Sequence, residues 1–158
     1  MEHLRRLLAF SALLTPLAAQ PAAAQVGVGG HVVHAADSFG GTTGVGARIR
    51  LGVPLFPLFA AVNGEYFFPS CDDDCSLWGA TFDVNYTFPI PLIQPWAGVG
   101  WSVRGFEVND EDDTERGINI GAGVQLNLAP MKPYLDIRYE MADAPEKQFL
   151  IRLGVMFM

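Results

Sequence analysis

Between positions 78 and 88 apolar and polar side chains alternate without exception. Trp78, Ala80, Phe82, Val84, Tyr86 and Phe88 stand at every second place, with Gly79, Thr81, Asp83, Asn85 and Thr87 between them. Successive side chains of a strand point to opposite faces, so this spacing gives one greasy face and one polar face. Helical spacing would mix Phe82 with Asp83 and Asn85, and Thr, Val, Tyr and Phe all favour strands. Seven further stretches repeat the pattern, at 26–34, 45–53, 58–68, 96–106, 117–128, 134–141 and 149–158. The stretch at 117–128 is as regular as the first, while Phe59, Phe67 and Leu150 interrupt the polar faces of theirs. Eight alternating segments separated by turn chemistry predict an all-β meander of antiparallel strands.

The connections alternate too. Those at 35–44, 69–77, 107–116 and 142–148 hold acids, both cysteines and Gly/Thr runs, whereas 54–57, 89–95 and 129–133 are compact and Pro-rich. Short turns at one end and more polar loops at the other predict a barrel crossing a membrane, with the turns in the periplasm. Eleven residues, as in 78–88, suit a tilted strand, for which roughly 9–11 cross a bilayer.

Alternation alone also fits a soluble barrel with its apolar set inward, so composition must decide which face is inside. A water-facing set should be rich in Lys and Glu, yet after residue 24 the only lysines, Lys132 and Lys147, lie in connections. The polar face carries instead Arg48, Arg50, Arg104, Arg138 and Arg152 against Glu65, Asp83, Asp136 and Glu140. Five cations nearly cancelled by four anions predict a closed interior network of paired charges crossing the bore. Gly46, Gly98, Gly100, Gly121 and Gly123 share that face and leave room for long arginines or for narrow wet pockets. The apolar face then meets lipid. Its aromatic residues fall largely near strand ends, Tyr66, Phe68 and Trp78 toward the loops and Tyr86, Phe88, Tyr134 and Phe157 toward the turns, while Trp101 sits nearer the middle.

The first 24 residues pair Arg5 and Arg6 with an apolar run and end on Ala22, Ala23 and Ala24, the pattern of a secretory signal peptide cut after Ala24. That leaves 25–158 as one domain. Without Glu2, Arg5 and Arg6, the 10 basic and 17 acidic residues become 8 and 16, a charge of −8 that does not suit nucleic acid. In an oxidising compartment Cys71 and Cys75, bracketing three aspartates, are expected to close a loop disulfide; two sulfurs at this spacing do not make a zinc site.

The segments PWAGVGWSV (95–103), GINIGAGVQL (117–126), KPYLDIRYE (132–140) and a last strand whose apolar alternation ends at Phe157 resemble the small eight-stranded outer-membrane barrels typified by the OmpA transmembrane domain and OmpX. The resemblance spans 25–158. It implies an eight-stranded antiparallel up-and-down transmembrane β-barrel held in outer-membrane lipid and inserted by the barrel-assembly machinery. Such families often end on an aromatic residue read during assembly; here Met158 follows Phe157. No peptidoglycan-binding domain follows, so that role of longer relatives is not carried over.

The expected function is structural or interactive, with the loops offered to an extracellular ligand or surface partner and with no cofactor. A narrow porin-like channel is the rival reading, and a lipid-modifying enzyme the next. Catalysis would need a nucleophile beside a base, for which His31, His34, Asp37 and Ser38 are the candidates; interfacial histidines at a strand end are the reading adopted. In the third loop Asp110, Asp112 and Asp113 are the carboxylates a divalent cation would use. A solvated acidic loop is preferred, because the spacing lacks the glycine of a calcium loop.

Overall fold

A computed structural model describes residues 25–36, 41–70, 75–108, 111–128, 130–142 and 147–158. The predicted signal peptide, Asp37, Ser38, Cys71 and Asp110 lie outside the described residues. Eight strands follow one another: β1 (Gln25–Ala36), β2 (Thr42–Gly52), β3 (Leu58–Phe67), β4 (Cys75–Thr87), β5 (Ile93–Val108), β6 (Glu111–Leu126), β7 (Met131–Ala142) and β8 (Gln148–Phe157). Each pairs antiparallel with its neighbours in sequence, and β1 pairs with β8 from Val28↔Phe157 to Ala36↔Phe149, which closes the barrel. Closure leaves no strand edge with unpaired backbone groups, the condition for a sheet surrounded by lipid.

Burial follows the two-residue period and is inverted relative to a soluble barrel. Arg138 and Arg152 are 0% exposed, whereas Val99 and Trp101 are 60% and 64% exposed. The outward face is a continuous band of Val, Ile, Leu, Phe, Tyr and Trp, including Ile49, Val62, Phe82, Val84, Ile120 and Ile151. Tyr66 packs edge-on against Phe68 near the loop end of that band, and Tyr86 against Phe88 near the turn end.

Three features depart from the sequence reading. β5 and β6 are 16 residues each, and their pairing runs on through Phe106↔Asp113 and Glu107↔Asp112 to Val108↔Glu111. The acidic segment at 107–116 is therefore mostly a hairpin extension rather than a loop. Its charges mask the strand alternation in sequence, and 16 residues exceed the roughly 9–11 that a tilted strand needs to cross a bilayer. β4 likewise begins at Cys75, inside the expected 69–77 connection.

The second departure is Tyr134, expected in the turn-side aromatic belt. It is 2% exposed and points into the bore, because it shares the parity of Asp136 and Arg138 on β7. The third concerns the inward glycines, which open no gaps at the level of the charges. A methyl group at Gly98 would meet Asn85, at Gly100 Asp83, at Gly121 Arg138 and at Gly123 Trp96. Each glycine thus lies under a large side chain of the adjacent strand. Gly98 and Gly100 show the requirement most sharply, since an added Cβ would also run into the Val84 and Phe82 carbonyl oxygens.

Candidate functional site

The inward side chains of the eight strands form three layers. In the middle, six charges converge. Asp136 on β7 accepts from Arg48 Nη2 at 2.8 Å through Oδ2, and from Arg138 Nε and Arg152 Nη1 at 3.2 Å each through Oδ1. Asp83 Oδ1 lies 3.2 Å from Arg138 Nη1, and Glu65 is paired with Arg152 Nε. Three arginines thus face three carboxylates. Amides and hydroxyls fill the remaining valences: Arg48 Nε donates to Asn63 Oδ1 at 2.6 Å, Asn63 Nδ2 to Asp83 Oδ2 at 2.9 Å, and Arg138 to Asn85 at 2.6 Å and Asn119 at 3.0 Å. Thr81 Oγ1 donates to Asp83 Oδ2 at 3.1 Å.

The topology makes these bonds cross the bore. β2 and β7, β3 and β8, and β4 and β7 each stand three places apart round the closed ring. Arg48–Asp136, Arg152–Glu65 and Arg138–Asp83 therefore link opposite walls. Buried ions remain charged only when paired and hydrogen-bonded, and the planar guanidinium fork can serve two carboxylates at once. Nearer the loops Arg104 pairs with Glu140, which also accepts from Gln148 Nε2 at 2.9 Å.

Apolar layers lie on either side. Toward the loops Val33, Ala35, Phe67, Leu77 and Leu150 pack together with Phe106 against them. Toward the turns Phe59, Ala61, Trp96, Tyr134 and Met156 form the second cluster, with the Phe59 and Trp96 rings edge-to-face at 5.7 Å. Phe59, Phe67 and Leu150, which interrupt the alternation in sequence, belong to these layers. The Arg48 guanidinium sits 4.5 Å over the Tyr134 ring and that of Arg50 3.8 Å over Phe59, cation–π contacts that join polar to apolar layers.

Of the nine charged residues singled out in the sequence, all face the bore, and eight enter ion pairs. Arg50 is the ninth. It bonds to the neutral Gln125 Oε1 at 2.9 Å and Gln94 Oε1 at 3.5 Å. Met156 lies inside, on the face that its parity with Arg152 and Gly154 predicts. Sequence reasoning passed over Gln148 and Trp96 and misplaced His31 and Tyr134, although parity with Asp136 would have placed Tyr134 inside.

His31 Nε2 lies 3.0 Å from Glu65 Oε1, and its Nδ1 lies 2.9 Å from the Tyr134 hydroxyl, so it belongs to the interior network. His34 is on the outer face, 3.1 Å from Thr43 Oγ1. The two histidines that a catalytic group would have used therefore stand on opposite faces and share no site, and His31 is an interior residue rather than the interfacial one expected. Asp112 and Asp113 are residues of β6 in the hairpin extension, and among the described residues no group of three or more His, Cys, Asp or Glu could hold a metal ion. Cys75 opens β4 with no free thiol.

No family model matches the chain, and no curated protein does. Solved structures share its fold. Neisserial surface protein A superposes with a TM-score of 0.58 at 20% identity, over 84% of this chain and 96% of that one. The N-terminal β-barrel domain of Pseudomonas aeruginosa OprF gives 0.63 at 15% identity, covering 85% and 98%. The attachment invasion locus protein Ail of Yersinia pestis gives 0.56 at 14% identity, covering 85% and 96%. The chain has the fold of the small eight-stranded outer-membrane barrels.

Proposed function

We propose that this chain is a structural or interaction protein of a bacterial outer membrane, anchored by its apolar belt, closed by its paired interior, and offering its longer loops to the outside. The observation that carries this reading is the inverted burial, with arginines and aspartates fully enclosed and valine, isoleucine and aromatic side chains open to the surroundings. In water that arrangement would leave more exposed apolar surface than a soluble protein tolerates; in lipid it is the arrangement that outer-membrane barrels use. Signal cleavage after Ala24 and a periplasmic start at Gln25 belong to the same reading, as does a Cys71–Cys75 bond in the loop before β4.

The loop end supports an interactive role. There the β5–β6 hairpin stands beyond the belt with Glu107, Asp113 and Glu115, and two of the structural neighbours are a surface protein and an attachment invasion protein. The interior supports a closed rather than conducting barrel, since ion pairs span the bore between two apolar layers. No enzymatic role is proposed.

Spin labels placed one at a time at Val84, Ile120 and Ile151 in vesicles test the membrane placement. High collision rates with dissolved oxygen and low rates with a water-soluble nickel complex are expected at all three. Water-like values at these positions would mean the apolar face is not in lipid, and the proposal would fall.

A further inference from the structure

The interior holds five arginines and four carboxylates, and the contacts identify the cation left over. Arg48, Arg138 and Arg152 are matched by Glu65, Asp83 and Asp136, and Arg104 by Glu140, whereas Arg50 makes no ion pair among the described residues. It is nevertheless 8% exposed, held between Phe59 and the two glutamine oxygens. A buried cation without a counter-ion is costly, and keeping one points to a use.

Arg50 lines a cavity of about 230 Å³ at the turn end, bounded by the connection between β2 and β3 and by the start of β5. Thr87 and Gln94 share the polar part of its wall, and Phe56 and Leu58 the apolar part. The Thr87 hydroxyl is buried without a protein hydrogen-bond partner. The β2–β3 connection is held by Val53 N–H donating to Leu58 O at 3.0 Å, with Leu55 in the left-handed region at φ 69°. A bulky residue there is unusual, and with its side chain exposed the conformation belongs to the tight turn itself.

We propose that this turn-end cavity binds a small organic monocarboxylate. Arg50 supplies the missing counter-charge through its planar fork, the Thr87 hydroxyl donates a second hydrogen bond, and Phe56 and Leu58 receive the apolar body. One excess positive charge matches a monoanion and not a phosphate dianion. The apolar wall favours an organic ion over chloride, and the volume lies below the roughly 300–1,000 Å³ of drug-sized sites, so the ligand is small.

The test titrates benzoate, and its uncharged counterpart benzamide, into the folded protein in nanodiscs of zwitterionic lipid. The readouts are the Arg50 side-chain Nε–H and the Thr87 amide by NMR. Benzoate should shift both saturably and benzamide should not. Arg50→Gln should weaken benzoate binding by about tenfold or more, the loss of one charge-assisted contact, and Arg50→Lys should retain part of the affinity. Thr87→Val leaves every charge in place and should still weaken binding several-fold; it carries the test if Arg50→Gln fails to fold. Equal titration by benzamide or by chloride, or unchanged benzoate affinity in folded Arg50→Gln or Thr87→Val, would overturn the proposal.

Discussion

Two kinds of arginine line this bore, and single substitutions should separate them. Arg138 touches Asp83 and Asp136 and donates to Asn85 and Asn119, so Arg138→Ala leaves buried carboxylates short of a partner. Loss of about 3–5 kcal/mol is expected, read from urea unfolding in lipid vesicles by tryptophan fluorescence. Arg50 has no carboxylate to orphan, and Arg50→Gln removes a buried cation with no ionic partner, so its stability should stay within about 1 kcal/mol of the parent protein in the same assay. A third substitution tests packing rather than charge. Gly98→Ala drives a methyl group into the Val84 carbonyl and Asn85 and should cost about 1–3 kcal/mol. Stability equal to that of the parent protein would mean that the strands have slack where the structure shows none.

At the scale of the strands, most of the architecture was legible because an apolar outer face and packed charge on the inner one force a strict two-residue period. The stretch at 78–88 and its counterpart at 117–128 carry that period without a break, and both are strands with the expected faces. Where the period fails, the reason is chemical. β5 and β6 continue beyond the length of the other strands into a hairpin where Glu107, Asp113 and Glu115 break the apolar period. Tyr134, Phe59 and Leu150 are apolar residues on the inner face, because a bore of eight strands is closed by side chains of either kind. β1 was the hardest to read, since Gly27, Gly29 and Gly30 blur its faces and hid His31 among interfacial residues. The bond partners themselves were beyond reach, because Arg48–Asp136 and Arg152–Glu65 depend on which walls the closed ring sets opposite each other. The connection between β3 and β4 carries its own prediction. Cys71 and Cys75 should titrate as no free thiol in the folded, unreduced protein, and reduction should cost only about 2 kcal/mol because the loop they close is short.

For the whole molecule the central claim is that charge pairing and two apolar layers close the bore. Three ion pairs link walls three strands apart, Phe67 and Leu150 lie on their loop side, and Phe59, Trp96 and Met156 lie on their turn side. An ion crossing the barrel would have to part guanidinium from carboxylate in the middle and displace packed rings at both ends. Both steps are costly, since separating a buried pair costs several kcal/mol. The direct measurement is single-channel recording of the purified, refolded protein in a planar lipid bilayer. No steady conductance above the bare membrane is expected from the parent protein, with openings appearing only when the pairing is broken, as in Arg138→Ala. Large, long-lived currents from the unmodified protein would contradict the closed interior and make it a pore.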